Sequence, residues 1–312
     1  MNQITELPIS IVDLRKAFRG KRGKKIEALR QLSLDIVPGE VFGFLGPNGA
    51  GKSTTIKILM GLIRPSVGHA SIFGIPVADP AARRRVGFLP ENPAFYDFLT
   101  AREYLRFVGK SFDMSPQDIQ SESERVLDLL DLTAAAARPI RGYSKGMVQR
   151  LGIAQTLLHN PDLFILDEPM SGLDPIGRAL VKEIILDLKA RGKTVFFSTH
   201  VTADVERVCD RIGVIVGGVF REERIVDELL REGIDGYFCR VRGLGAEKLM
   251  AFEGAECGGG VCEVFVPRDR FDAFAKELLE SGGSFDLVEP RRRDVEEYFL
   301  DLVRTSGGTD AP

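Results

Sequence analysis

Several features that would place a 312-residue chain quickly are missing from this one. It has no excess of either charge: 42 Lys and Arg stand against 45 Asp and Glu, a net of −3. That balance argues against a nucleic-acid binder relying on bulk positive charge. No apolar run approaches the roughly 18 residues that a membrane-spanning helix needs. The opening residues, MNQITELPIS, have neither a basic start nor a long apolar core, so no signal peptide is expected. Cysteine is scarce. Cys209, Cys239, Cys257 and Cys262 form no metal-ligand spacing, and the reading is a set of reduced cytoplasmic thiols. Only Cys257 and Cys262 lie close together, flanking three glycines. No internal repeat is present. What remains is an ordinary apolar fraction of 44%, enough for one large domain with a sizeable core and a smaller one beside it.

The strongest positive signal is Gly46-Pro47-Asn48-Gly49-Ala50-Gly51-Lys52-Ser53-Thr54, a full match to G-x-x-x-x-G-K-[ST]. The run before it, EVFGFL at 40–45, reads as a buried strand, and TTIKILMGL at 54–62 reads as a helix. Strand, glycine-rich loop and helix are the context this motif requires. The glycines let successive N–H groups point into one concavity at the positive end of a helix dipole, which suits a polyphosphate. Lys52 would place a point charge between the β- and γ-phosphates, and Ser53 would offer its hydroxyl to Mg²⁺.

Along the rest of the chain, residues 8–45 alternate short β-like runs with polar turns, among them the basic turn GKRGKK at 20–25. Phe18 precedes that turn and suits either a base-stacking aromatic or a partly buried strand residue. GHASIFGIPV at 68–77 reads as a short β pair, and AARRRVGFL at 81–89 runs into a buried strand that Pro90-Glu91-Asn92-Pro93 stops. Thr100 and Glu103 form a capping box, and helical periodicity continues to about Leu132. A second core motif, Tyr143-Ser144-Lys145-Gly146-Met147-Val148-Gln149-Arg150, follows, with Ser144 placed to cap a helix carrying Leu151, Ala154 and Leu158.

LFILDE at 163–168 is an apolar strand ending in two carboxylates. Asp167 sits where Mg²⁺ needs a ligand, and Glu168 is placed to orient an attacking water. Ser171-Gly172-Leu173-Asp174 is a turn before a helix to Ala190. TVFFS at 194–198 is a further strand, and His200 lies at its carboxyl end, beside the Asp167 strand of a parallel sheet, where ligands bind. His69 and His159 read as ordinary cap or surface residues. Arg221–Arg231 reads as a charged, helix-like linker. Residues 237–304 then read strand, helix, strand, helix, strand, helix, and the tail from Thr305 reads as disordered.

Taken in order, these motifs resemble the nucleotide-binding subunits of the ATP-binding cassette (ABC) family over residues 8 to about 220. GPNGAGKST corresponds to Walker A, YSKGM to the signature, LFILDE to Walker B, SGLD to the D-loop and His200 to the switch histidine. The implied fold class is α/β: a P-loop NTPase (ABC ATPase) core with an antiparallel β subdomain and a helical insert, plus a small C-terminal α/β domain. The implied limits are 1–234 for the ATPase, with the insert at about 93–160, then 235–304 and a tail at 305–312. The C-terminal unit is similar to the extra domain of exporter ATPases that serve separate membrane subunits.

The resemblance implies an ATP- and Mg²⁺-dependent ATPase acting as a head-to-tail homodimer. ATP would lie on the Walker A of one chain and against Tyr143, Ser144, Lys145 and Gly146 of the other. Ser53 and Asp167 would hold Mg²⁺, Glu168 would polarise the water, and His200 and Lys52 would meet the phosphates. Asp174 would communicate across the interface, and Phe18 would stack on adenine. Two positions depart from the family. Glu91 stands where glutamine is usual, and a carboxylate about 4 Å from a phosphate charge costs about 4 kcal/mol at an effective dielectric near 20. Metal or water mediation at Glu91 is therefore expected. In the signature, Tyr143, Lys145 and Met147 replace the commoner Leu, Gly and Gln. Phe95, Tyr96 and Phe98 fall where the family receives a helix of the membrane subunit. The expectation is a cytoplasmic protein peripheral to the inner face of the membrane, partnered by a permease and not by nucleic acid. The competing reading is a soluble ABC ATPase working on nucleic acid or ribosomes. No heptad run separates Lys52 from Ser144, and only one cassette is present, both of which count against it.

Overall fold

A computed structural model describes residues 6–19, 25–232, 234–243, 255–258, 260–292 and 295–305. The basic turn at 20–24, the helix expected at 247–252 and the tail beyond 305 lie outside the described residues. By internal contacts the described residues divide into one unit running to Arg224 together with Leu302–Thr305, and a second unit within Ile225–Asp301.

The first unit is built on ten strands: β1 (Ile9–Arg19), β2 (Lys25–Ile36), β3 (Val41–Leu45), β4 (Val67–Ile72), β5 (Ile75–Pro76), β6 (Val86–Leu89), β7 (Leu163–Asp167), β8 (Thr194–Thr199), β9 (Arg211–Val216) and β10 (Val219–Ile225). They lie in the order β5-β4-β1-β2-β10-β9-β3-β8-β7-β6. The strands from β9 to β6 pair in parallel, whereas β5, β4, β1 and β2 pair antiparallel. The sequence encodes the difference. Every residue of β3, β7 and β8 is buried, as in a sheet covered on both faces. In β2 burial alternates at Leu32, Leu34 and Ile36 with exposed neighbours, as in a sheet with one wet face. Phe42 and Phe44 of β3 pack on Phe196 of β8, with ring centroids 5.8 and 5.4 Å apart. Each such ring removed from water is worth about 1.5–3 kcal/mol.

Helix α1 (Lys52–Leu59) follows β3. Between β6 and β7 stand α2 (Ala101–Ser111), α3 (Pro116–Leu129) and α4 (Lys145–Leu157). Thr100 caps α2 in the expected box with Glu103. A two-point Arg102–Glu124 pair, at 2.7 and 2.9 Å, ties α2 to α3, and the Tyr104 hydroxyl bonds Gln155 of α4. Helix α5 (Pro175–Ala190) follows β7, and the four-residue α6 (Thr202–Val205) follows β8.

Two sequence expectations need correction. Arg221–Arg231 is not a helical linker throughout: its first five residues belong to β10, between β2 and β9, and only then does α7 (Val226–Glu232) begin. Burial in FREERI alternates between half-buried and exposed, a period-two pattern that the high charge conceals. The cysteines are not all reduced either, because Cys257 and Cys262 form a disulfide.

In the second unit β11 (Ile234–Arg242), β12 (Glu256–Gly258), β13 (Val261–Pro267) and β14 (Ser284–Arg292) form an antiparallel sheet ordered β12-β13-β11-β14. Cys257 and Cys262 face each other in the β12–β13 register, which is why so short a spacing can close. Helix α8 (Phe271–Glu280) buries Phe274 and Leu278 against Cys239, Val241, Val264 and Val266. Helix α9 (Val295–Thr305) completes the described residues.

Candidate nucleotide-binding site

The loop between β3 and α1 is shaped by its glycines. Gly51 has φ 114°, and a Cβ on Gly46 would lie 2.5 Å from the Ile215 carbonyl oxygen. Both positions exclude larger residues. No side chain caps α1, which leaves its first-turn amides available to an anion. Lys52 is buried. Its ammonium donates to the carbonyls of Gly46 (2.5 Å) and Pro47 (3.3 Å) and stands 3.7 Å from Glu168 Oε1. Burial holds its pKa below the ordinary lysine value, while the charges of Glu168, Asp167 and Glu91 pull the other way.

Asp167 ends β7, paired in register with Ser198 of β8. Its Oδ1 accepts from Ser198 Oγ at 2.5 Å and from Ser53 Oγ at 3.5 Å. Glu168 turns the strand end at φ 50°, a left-handed conformation that a non-glycine residue rarely takes. The turn is pinned from three sides. Glu168 N–H donates to Ser198 O and Oγ, both at 3.2 Å. Gln149 Nε2 of α4 donates to the carbonyls of Glu168 (3.3 Å) and Pro169 (3.0 Å). His200 Nδ1 lies 3.0 Å from Glu168 Oε1. A cavity of about 340 Å³ opens here, lined by residues 47–54, Glu91 and Glu168, within the size range of small-ligand sites.

The loop 46–54, Asp167, Glu168, His200 and Glu91 therefore come together. The signature and the D-loop do not line this cavity. Ser144 caps α4, its Oγ accepting from Met147 N–H at 3.3 Å. Tyr143 donates its hydroxyl to Ala135 O at 2.9 Å, under the Arg138 guanidinium. Lys145 is exposed and lays its stem across Gly172, where a Cβ would meet Lys145 Cε at 2.6 Å. Asp174 caps α5, its Oδ1 accepting from Gly177 N–H at 2.8 Å. Gly146 lies beside the same D-loop, with an ideal Cβ 3.7 Å from Gly172 O. Phe18, on β1, is 39% exposed with the Lys16 ammonium 5.0 Å over its ring; it is not part of the cavity lining. Two residues to which the sequence reading gave no role hold the centre together, Ser198 and Gln149. Ser198 immediately precedes Thr199-His200, so its place at the strand's carboxyl end was a usable signal. Gln149 carried none, since its role depends on how α4 packs.

The ABC transporter family model matches residues 29–171. An uncharacterised ABC transporter ATP-binding protein of Synechocystis is 51% identical over 92% of this chain and 81% of its own length. The Nod factor export ATP-binding protein I of Burkholderia lata is 35% identical over 88% of this chain and 85% of its own. Among solved structures, a dimeric ATP-binding cassette in a post-hydrolysis state with ADP and Pi aligns with a TM-score of 0.65 at 25% identity, over 70% of this chain and 98% of that one. With the phosphate loop, paired carboxylates and histidine assembled as described, the chain belongs to the ABC transporter family as an ATP-binding subunit with ATPase activity.

Proposed function

We propose that two copies of this chain close head to tail around two Mg-ATP molecules, and that this closure drives export through a separately encoded membrane permease. The observation that carries the reading is the division of the site. Residues 47–54, Glu91 and Glu168 line one cavity, while Ser144 and Asp174 cap helices whose starts lie outside that lining. A second copy would supply its capped α4 terminus, a second positive dipole end, to the phosphates. The dimeric cassette with ADP and Pi and the export-named relative support the arrangement.

In this scheme Lys52 leaves its loop carbonyls and neutralises phosphate charge. A hydroxyl and a carboxylate sharing one locus, Ser53 with Asp167, are hard oxygen donors that fit Mg²⁺. Bound there, Mg²⁺ would screen the phosphate oxygens. Glu168 orients the water through an oxygen it shares with His200 and Lys52, and His200 meets the γ-phosphate. Glu91, exposed on the cavity wall, engages through metal or water. Phe18 stacks on adenine, and Asp174 signals between the copies.

The permease would meet the aromatic patch beside Glu91. Tyr96, Phe98 and Phe107 are 56%, 67% and 52% exposed, while Phe95 is held edge-on against Tyr104 at 4.7 Å. No described helix is long and apolar enough to cross a membrane, so this subunit would attach to the inner face through that contact. The test is Glu168→Gln. It should keep ATP binding, lose at least about 10²-fold in turnover, the low end for a general base, and elute as a dimer in ATP. Adding Ser144→Arg should abolish that dimer. Near-normal turnover, or a monomer in saturating ATP, would overturn the scheme.

A further inference from the structure

We propose that Asp204 is a positioning residue for His200, acting through α6; the inference rests on the reading of His200 as the γ-phosphate contact. Asp204 is 2% exposed, and a carboxylate so deep needs partners for its charge. Two cations from one face of α5 converge on it. Arg178 Nη2 lies 2.7 Å from Oδ2, and Lys182 Nζ lies 2.9 Å from Oδ1. Their spacing of four residues puts both on the same side of α5. Lys182 Nζ also reaches the Ala203 carbonyl at 3.4 Å, so α5 grips both the backbone and the side chain of α6.

The consequence is a closed mechanical circuit. From Glu168 the chain runs through the D-loop into α5, which Asp174 caps. It crosses by Arg178 and Lys182 to Asp204, and returns along α6 to His200. His200 Nδ1 closes the ring on Glu168 Oε1 at 3.0 Å. Helix α6 has only four residues, and its N-cap, Val201, supplies no side-chain cap; burial of Val205 holds one side of it, and the ties to α5 hold the side that carries Asp204. The His200 side chain is half exposed. Its aim at Glu168 therefore depends on the segment that Asp204 anchors. Neutralising Asp204 leaves two neighbouring cations without their counter-charge and frees α6 to shift against α5.

The experiment is single-turnover ATP hydrolysis by the full chain in wild type, Asp204→Asn, His200→Ala and the double variant. Rates are expressed per nucleotide-binding site, counted by titration with a fluorescent ATP analogue. Asp204→Asn should lower the rate at least 10-fold, with analogue affinity within twofold of wild type. In the His200→Ala background it should lower the rate no more than twofold further. Lys182→Met, which leaves Arg178 in place, should give a smaller loss of the same kind, and it carries the test if Asp204→Asn does not fold. A merely structural ion pair would reduce the number of binding sites and leave the rate per site unchanged, which overturns the proposal. Equal losses in both backgrounds also overturn it. If His200→Ala alone turns over like wild type, the histidine reading itself fails, an outcome distinct from failure of the Asp204 link.

Discussion

Asp167 Oδ1 is an acceptor shared by two hydroxyls, and the closer of them, Ser198, comes from the neighbouring strand. A hydrogen bond to a charged group is worth about 1.5–3 kcal/mol; with Asp167 holding Mg²⁺ as proposed, Ser198 would orient a metal ligand, and such groups commonly change affinity or activity by about 10–100-fold when removed. Ser198→Ala is expected to raise the Mg²⁺ concentration for half-maximal ATPase activity about 10-fold, measured by titrating Mg²⁺ at fixed ATP. The motif residues were legible because their spacing along the chain is fixed by the loop they form. Ser198's place at a strand's carboxyl end was legible, but its contact with Asp167 was not, because that depends on β7 and β8 pairing in one register, which no local pattern announces. The cysteines add a second test at this scale. Burial pushes the Cys239 thiol to about 11 and the Cys209 thiol well above its ordinary value. At pH 8 roughly one Cys239 in a thousand is then thiolate, the reactive form. A thiol reagent at pH 8 should titrate no cysteine in the folded, unreduced protein, two after denaturation, and four after denaturation with reduction.

Helix α2 is started by four residues of its own sequence. Thr100 accepts from Glu103 N–H at 3.2 Å, and Glu103 returns to Thr100 N–H at 2.8 Å. That reciprocal pair was visible as T-x-x-E before any packing was known. Thr100→Ala should cost about 0.5–2 kcal/mol of stability, read by urea denaturation, and leave nucleotide affinity unchanged, since α2 is not part of the cavity lining. The strand β10 shows the opposite case. Its FREERI run carries four charges and falls in a stretch that reads as a charged, helix-like linker, yet it pairs within the large sheet because its backbone, not its side chains, is what the neighbouring strands need. Charge set the reading toward solvent, and sheet closure decided otherwise. Gly152 of α4 marks another contact invisible in one dimension. A Cβ there would lie 2.6 Å from Leu89 Cδ1 and 3.1 Å from Pro93 Cγ. The signature helix is thereby seated against both ends of the Pro90–Pro93 turn that presents Glu91.

For the whole molecule, β10 decides where the chain can be cut. It lies between β2, the last antiparallel strand, and β9, the first of the parallel set. The turn that leads into it also touches the phosphate loop: Gly218 N–H donates to Ala50 O at 2.9 Å, and Gly218 O accepts from Arg30 N–H at 2.7 Å. One glycine thus joins the loop between β3 and α1 to the strand that carries the antiparallel half. A chain ending after Glu232 keeps this joint and loses the sheet of the second unit. It also loses Leu302–Thr305, described residues that cluster with the first unit and include the buried Val303; one such side chain is worth about 1.5–3 kcal/mol. That truncation should melt at a lower temperature than the full chain yet bind Mg-ATP with an affinity within about threefold, measured by calorimetry. A chain ending after Val216 leaves β2 and β9 with unpaired inner edges and Ala50 O without its donor. It should fail to bind Mg-ATP altogether. If the shorter chain bound as well as the longer one, β10 would be dispensable, and the phosphate loop would have to draw its shape from β3 and α1 alone.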